Sequence, residues 1–322
     1  MKKLLEGRGL KKLISLILTF TIIQLLVSFN IINDYYQATL ATICINIVLA
    51  VSLNLITGFT GQFSLGHAGF MSIGAYTCGI ITMRMPTTYG FILGALAGAI
   101  LAALVGCLVG LPTLRLKGDY LAIATLGMSE IIRVVFTNLE ITNGAAGLNG
   151  IPQFVNWLWL FVFTSCTIII ISNFIKSSHG RACISIREDE IASEAMGINT
   201  TKYKVIAFTI GAFFAGIAGA LYASYFYFLK PDTFGFLKSV DVLVIVVLGG
   251  LGSISGSVIS AVLLALISTF LQSFSDIRMV LYALILVIIM IFRPQGLMGS
   301  KEVSLSMFNK LGDRFKSGKG RV

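Results

Sequence analysis

Val240-Asp-Val-Leu-Val-Ile-Val-Val-Leu-Gly-Gly-Leu-Gly-Ser-Ile-Ser-Gly-Ser257 is the stretch on which the fold turns. Its first nine residues, 240–248, make ~14 Å of helix at ~1.5 Å per residue, about half of a bilayer core. Residues 249–257, with four glycines and three serines, are poor helix material. Apolar sequence that halts halfway predicts a broken hairpin: a short helix inward, an irregular turn buried in protein, and a helix back through 258–273. Irregular backbone survives at membrane depth only where protein or a watery cavity satisfies its N–H and C=O groups. The turn is therefore expected beside a pathway.

The surrounding composition demands a membrane. Hydrophobic residues make up 56% of the 322 and charged ones 12%, too few polar groups to cover a water-soluble globule. The +10 net charge lies in short segments between apolar runs, which excludes a nucleic-acid reading. Runs of about 20 apolar residues are found near 13–32, 38–57, 65–83, 89–110, 119–138, 155–175, 204–228 and 277–292. The first follows a basic tail, 1–12, and reads as a retained anchor because its long apolar stretch has no clear cleavage site. The fold class is thus all-α and polytopic, with about eight full spans plus the broken hairpin, nine to ten membrane helices in all.

Lys and Arg in short loops mark the cytoplasmic side. The tail 1–12, Arg115 and Lys117, the segment 176–203 with Lys204, and the tail 293–322 hold most of the 24 basic residues. One alternating topology places all of them inside, with both termini cytoplasmic. Arg84, Lys230, Lys238 and Arg278 fall outside, and Arg133 lies in a span. The span at 204–228 runs outward, so an odd number of crossings must follow, and the broken hairpin supplies the parity.

The first half echoes the second. Gly58-Phe-Thr-Gly61-Gln-Phe-Ser64 and Gly249-Gly-Leu-Gly252-Ser-Ile-Ser255 share GxxGxxS with an apolar sixth residue, each between apolar runs. Paired interruptions point to a possible internal repeat with a solute site at its interface. Asn46, Asn54 and Gln62 recur at eight-residue intervals on one side, joined by Ser52, Ser64, His67 and Ser72. Facing lipid, such groups would forfeit several kcal/mol, so they face protein or water. Interhelical hydrogen bonding and a wet path lining both fit. Asn46, Asn54, Gly58, Gly61, Gln62, Ser64, His67, Gly252 and Ser255 form the candidate path, with His67 reading first as a hydrogen-bonded structural group. Gly94, Gly98, Ala102 and Gly106, and likewise Gly211, Ala215 and Gly219, have the four-residue spacing of close helix packing. Glu130 and Arg133 share a face at i,i+3 and are expected to form an intramembrane ion pair.

Residues 176–203 form the only sizeable interior loop. Ile184, Ile191, Ala195 and Met196 recur at roughly helical spacing beside Arg187, Glu188 and Glu194. This predicts a short amphipathic helix at about 181–197, closed by Gly197, with Asn199 or Thr200 capping the next. Both charge signs beside an apolar stripe suit docking of a cytoplasmic partner. The chain has no GxxxxGK[ST], so any ATP-driven process needs a separate ATPase. It also lacks HExxH and any paired-aspartate or GxSG protease site. Cys44, Cys78, Cys107, Cys166 and Cys183 are scattered without CxxC spacing, read as small buried thiols, and neither metal nor cofactor is expected.

Gly58-Phe-Thr-Gly-Gln-Phe-Ser-Leu-Gly-His-Ala-Gly-Phe70 resembles the signature of permease subunits of bacterial branched-chain amino acid ABC importers. Leu114-Arg-Leu-Lys-Gly-Asp-Tyr-Leu-Ala-Ile-Ala-Thr-Leu-Gly127, with Gly147-Leu-Asn-Gly-Ile-Pro152, narrows the likeness to the M-type subunit. Gly180-Arg181-Ala, Arg187-Glu-Asp-Glu-Ile-Ala192 and Glu194-Ala-Met-Gly197 resemble that family's ATPase-coupling segment. Arg293-Pro-Gln-Gly-Leu-Met-Gly299 is similar to its C-terminal close.

The resemblance implies a single importer transmembrane domain over 1–322 in a bacterial plasma membrane. Its partners would be a second, related permease, two cytoplasmic ATPases and an extracytoplasmic binding protein delivering Leu, Ile or Val. Arg187, Glu188, Asp189 and Glu190 would touch the ATPase. The break at 58–70 would lie along the route, and loop 139–154, with Gly144, Gly147 and Gly150, would meet the binding protein or help gate the path. Permeases for urea and short amides are similar. A self-sufficient secondary transporter is the contrasting class, but it wants an ion site where the membrane offers few acids, Glu130 and Asp241 among them.

Overall fold

The computed structural model describes residues 33–271 except Arg115 and Lys117, residues 296–299, and the isolated helical positions 21, 23, 24, 280, 284, 287 and 291. The expected spans 13–32 and 277–292, and the tails 1–12 and 293–322, fall outside the described residues but for those positions. Among the residues described without gaps, ten α-helices follow in order: α1 Asp34–Asn54, α2 His67–Arg84, α3 Thr88–Thr113, α4 Asp119–Asn138, α5 Trp157–Lys176, α6 Ser178–Glu188, α7 Glu190–Ala195, α8 Thr200–Phe226, α9 Phe236–Gly249 and α10 Ile254–Phe270. Among the described residues, five helical segments are long and apolar enough to cross a membrane: Asp34–Phe59, Thr88–Thr113, Asp119–Asn138, Trp157–Lys176 and Thr200–Phe226.

The expected span 65–83 is present as α2, whose 18 residues carry enough Gly, Ser, Thr and Tyr to suit protein better than lipid. It lies in the middle of the bundle, packed on α3 and α8, with Ala75, Tyr76 and Cys78 fully buried. Missing side chains let these helices touch. A Cβ on Gly74 would stand 2.0 Å from the Gly216 carbonyl oxygen, and one on Gly219 would stand 1.9 Å from that of Met71. Gly94, Gly98, Ala102 and Gly106 all lie on the buried side of α3. Its opposite side exposes Leu93, Leu96, Ile100, Leu104 and Leu108. Small residues inward and leucines outward is the pattern of a helix whose solvent is lipid.

Four details depart from the sequence reading. Leu148–Asn149 and Phe228–Leu229 pair as a minimal antiparallel ribbon, so the loop between α4 and α5 is not wholly helical or irregular. Gly147 makes this approach possible, since a Cβ there would lie 2.0 Å from the Leu229 carbonyl oxygen. The hairpin's first arm begins at Phe236 rather than 240, which moves Lys238 from an outside loop into α9. Its second arm begins at Ile254 rather than 258, because Ser253 caps it by accepting the Gly256 N–H at 3.1 Å. All five cysteines are free; Cys44, Cys78 and Cys183 are buried as expected, but Cys107 is partly exposed and Cys166 exposed.

Candidate functional site

The two glycine-rich breaks meet. α1 runs without interruption into a five-residue π-helical turn, Leu55–Phe59, and the chain then stays irregular until α2. The hairpin's break is shorter, 250–253. The glycine at the fourth place of each GxxGxxS, Gly61 at φ +73° and Gly252 at φ +86°, has the left-handed backbone that L side chains avoid.

Asn54 ties them together. Its Nδ2 donates to the Ser253 carbonyl at 2.9 Å and to Ser257 Oγ at 2.8 Å, and its Oδ1 accepts the Gly252 N–H at 2.9 Å. Gly58 sits directly against this junction: a Cβ there would be 2.4 Å from the Gly252 nitrogen. The hairpin is closed from the other side by residues that the sequence reading noted only as a C-terminal motif. Leu297 N–H donates to the Leu248 carbonyl at 2.8 Å and Met298 N–H to that of Gly249 at 3.2 Å, satisfying carbonyls that the end of α9 leaves open.

Asn46 and Asn54 do lie on one side of α1, since both bond the hairpin: Asn46 Oδ1 accepts from Lys238 Nζ at 3.2 Å. Gln62 is 2% exposed, and neither atom of its amide has a partner among the described residues. His67 Nε2 lies 2.9 Å from Ser52 Oγ. Ser52 Oγ also lies 3.0 Å from the Leu49 carbonyl oxygen, so the hydroxyl bridges the ring and the backbone of α1. Ser64 is buried beside the Gly66 N–H, and Ser255 approaches Ser253 Oγ at 3.3 Å.

The segment between α5 and α8 reaches into this junction. Arg187 Nη1 donates to the Gly58 carbonyl at 2.8 Å, while its other nitrogens pair with Glu188. The guanidinium passes so close to Gly252 that a Cβ there would meet Nη1 at 2.6 Å. Thr57, Gly58, Gly61, Phe63, Arg187 and Leu251 line the open cavity so formed.

The expected single amphipathic helix is two, α6 and α7, broken at Asp189. The Asp189 side chain leaves the helical path to accept the Ala192 N–H at 3.0 Å and cap α7. Its other charges are spent locally: Glu190 on Lys204 at 2.7 Å, Glu194 on the Thr200 hydroxyl at 3.0 Å, and Arg181 on the Lys176 carbonyl at 3.0 Å. Gly197, at φ +83°, ends α7, and Asn199 caps α8 by accepting the Lys202 N–H at 2.9 Å. The apolar stripe does not face inward. Ile191 and Met196 are 77% and 83% exposed, while Cys183 and Ile186 are the buried side chains of α6. Burial pushes the Cys183 thiol up to about 11, against a smaller opposing pull from Thr60.

Glu130 and Arg133 pair at 2.7 Å, with a third member absent from the sequence reading: Asp232, 3.0 Å from Arg133 Nη1. Asp232 lies in the turn Pro231–Phe234, so the group sits toward the end of α4 remote from α6 and α7. Among the described residues no three His, Cys, Asp or Glu side chains gather as a metal site would require.

Long apolar helices, an internal glycine-packed helix and a broken hairpin seated on an interrupted one define a multi-pass membrane protein of the transport kind. Residues 35–292 match the family model for the branched-chain amino acid transport system / permease component, and the chain belongs to that family. It is 35% identical over 298 residues to the high-affinity branched-chain amino acid transport system permease protein LivM of Salmonella typhimurium, covering 82% of this chain and 70% of that one. Identity to LivM of Escherichia coli is 34% over 307 residues, with the same coverage. The permease protein LivH of Salmonella typhimurium is 25% identical, covering 80% of this chain and 92% of LivH. These relatives are transport permeases rather than enzymes. Among solved structures, PsaBC from Streptococcus pneumoniae in complex with Fab aligns at TM-score 0.47 and 12% identity, covering 83% of this chain and 95% of that one.

Proposed function

We propose that this chain is one transmembrane subunit of an ATP-driven importer of branched-chain amino acids. In this reading it lies in a bacterial plasma membrane with both termini cytoplasmic, paired with a second, homologous permease. Two cytoplasmic ATPases drive the pair, and an extracytoplasmic binding protein loads it. Family membership supports the substrate class. The observation that carries the mechanism is the path of Arg187: a segment with an exposed apolar pair sends one side chain to the carbonyl of Gly58, where both breaks meet. A push on α7 is thereby transmitted to the junction of α1 with the hairpin.

The division of labour is then concrete. Ile191 and Met196, with Glu188 and Glu194 beside them, form the ATPase-facing surface. Arg181, Asp189, Glu190 and Gly197 hold its shape. Gly58, Gly61, Gly252 and Asn54 form the movable junction, and Gln62, Ser64, His67 and Ser255 lie along the route, where the unpartnered amide of Gln62 suits a polar solute or water. The test is leucine uptake by cells with a collapsed proton gradient. Uptake is expected only when this chain is co-expressed with the second permease, the ATPases and the binding protein. Accumulation by the chain alone would sink the reading.

A further inference from the structure

The open cavity beside Arg187 has a volume of about 440 Å³, inside the ~300–1,000 Å³ range of small-molecule pockets. Each glycine-rich break gives it one apolar wall. Phe63 of the first is 43% exposed and Leu251 of the second 46%. Leu251 stands between Gly250 and Gly252, at φ +109° and +86°, so two left-handed glycines turn the chain around it. The first wall also adjoins the candidate route. Gly61 and Phe63 line the cavity, and Gln62 between them carries the buried amide without a partner among the described residues.

The polar part of the cavity is one cation and bare backbone. Arg187 keeps Nη1 on the Gly58 carbonyl and gives its other two nitrogens to Glu188. Glu188 is the next residue in the chain and its side chain is 66% exposed; an exposed ion pair contributes only about 0–1 kcal/mol. A carboxylate entering the cavity can therefore replace Glu188 on the Nε–Nη2 edge as a two-bond fork, leaving Nη1 on Gly58. The carbonyls of Gly61 and Phe63 accept no backbone hydrogen bond among the described residues, which leaves them open to an ammonium. A carboxylate, an ammonium and a branched aliphatic chain held between Phe63 and Leu251 define one class of solute.

We propose that this cavity is an inhibitory site for the free branched-chain α-amino acid, reached from the α6 side of the membrane. That side is cytoplasmic in the importer reading, on which this inference rests. The ligand touches one wall from each break, so it binds best when the breaks face each other as they do here. A ligand shifts an equilibrium toward the state it binds better. Occupancy thus holds the junction where Asn54 and Arg187 fix it, and accumulated product slows its own import.

The test uses the whole complex, with its second permease and ATPases, in proteoliposomes whose ATPases face outward. Leucine-saturated binding protein is sealed in the lumen, so that added solute cannot act by loading it. L-Leucine added on the ATPase side should lower ATP hydrolysis at least threefold. Glycine lacks the side chain and leucinamide the carboxylate, and neither should slow it. Phe63→Ala and Leu251→Ala trim half-exposed side chains, and each should abolish the inhibition, read as the rate with and without leucine within the same variant. A wild-type complex that carries leucine out of the lumen yet is not slowed by it, or is slowed equally by leucinamide, overturns the site. Undiminished inhibition in both alanine variants does the same, since the leucine would then act elsewhere in the complex. Those outcomes leave the importer reading intact. A wild-type complex that moves no leucine removes the importer reading itself, and this inference with it.

Discussion

Arg187 Nη1 lies 2.8 Å from the carbonyl oxygen of Gly58, 129 residues earlier in the chain. That carbonyl belongs to the π-helical turn ending the first described membrane helix, where the regular ladder is disrupted and an outside donor is needed. A hydrogen bond from a charged donor contributes about 2 kcal/mol, and its loss would leave the carbonyl facing the open cavity, where water replaces part of the interaction. Arg187→Ala is therefore expected to insert and fold, with a modest loss of thermal stability, yet to reduce ATP-dependent leucine uptake at least tenfold. Lysine reaches the carbonyl but cannot also hold Glu188 in the same fork, so Arg187→Lys should be intermediate. Uptake unchanged in the alanine variant would show that the contact transmits nothing.

Asn54 should matter more for folding. Removing its amide strands the Gly252 N–H, which has no other partner among the described residues, whereas the Ser253 carbonyl keeps Ser257 as a donor. One stranded buried donor costs about 1–3 kcal/mol, so Asn54→Ala should lower the thermal midpoint of the detergent-purified chain by several degrees. Asn54→Asp should be worse, since it sets a carboxylate oxygen where Nδ2 now donates to the Ser253 carbonyl. Gly58→Ala disrupts the same junction, because its Cβ would fall 1.7 Å from Asn54 Oδ1. The two alanine substitutions should then be far from additive.

How much of this was legible follows from what sequence can encode. The broken hairpin was readable because a nine-residue, mainly apolar run is too short to cross a bilayer and the glycines after it interrupt the helix, as Gly250 and Gly252 do at φ +109° and +86°. Asn46 and Asn54 could be placed on one face by their spacing, and the ends of α7 and α8 by Gly197 and Asn199. Asp232 could not be joined to Arg133, because that ion pair spans 99 residues and depends on how the turn Pro231–Phe234 folds back. The break between α6 and α7 was missed for a local reason. The spacing of Ile184 with Ile191 and Met196 suggested one helix, but the Asp189 cap breaks it, and after the break the apolar residues no longer share the buried face of Cys183 and Ile186. Lys238 was left outside because the apolar block was read from Val240, whereas α9 begins four residues earlier, at Phe236, and Lys238 bonds Asn46 of α1.

Close helix packing gives a sharply divided expectation for glycines. Gly219→Ala places a methyl 1.9 Å from the Met71 carbonyl oxygen, a backbone atom that cannot swing aside. Overpacking of this kind costs about 1–3 kcal/mol or more, exceeding the roughly 1 kcal/mol that alanine gains in helix propensity. Gly127, on α4, has nothing within 4 Å of where a Cβ would lie. Gly127→Ala should be neutral or slightly stabilising, and Gly219→Ala should reduce the yield of monodisperse protein on size exclusion. Equal behaviour of the two would contradict the close approach of α2 and α8.

The ion group on α4 calls for a double substitution. Arg133 and Glu130 are 30% and 34% exposed at their side chains, and Asp232 remains as a second partner. Glu130→Gln alone should thus cost under about 1 kcal/mol. Asp232→Asn alone should be similar. Together they leave Arg133 without either carboxylate, and the combined loss of thermal stability should exceed the sum of the single losses. Strict additivity would mean that the two carboxylates act independently.

Two isoleucines separate docking from folding. Ile186 on α6 is 4% exposed and Ile191 on α7 is 77% exposed. Ile186→Ala removes buried contacts and should destabilise the chain by about 2–5 kcal/mol, lowering its level in the membrane. Ile191→Ser with Met196→Ser alters a surface that touches little of this chain, so stability should move by no more than about 0.5 kcal/mol. Apolar side chains held outward beside Glu188 and Glu194 nonetheless have the anatomy of an interface centre, with a polar rim around an apolar anchor. The serine pair should therefore insert normally and still bind the second permease, while recovery of the ATPases on an affinity tag falls at least tenfold. Full ATPase recovery with the serine pair, beside a normal membrane level, would move the docking surface away from α7 and leave Arg187 without a source of motion.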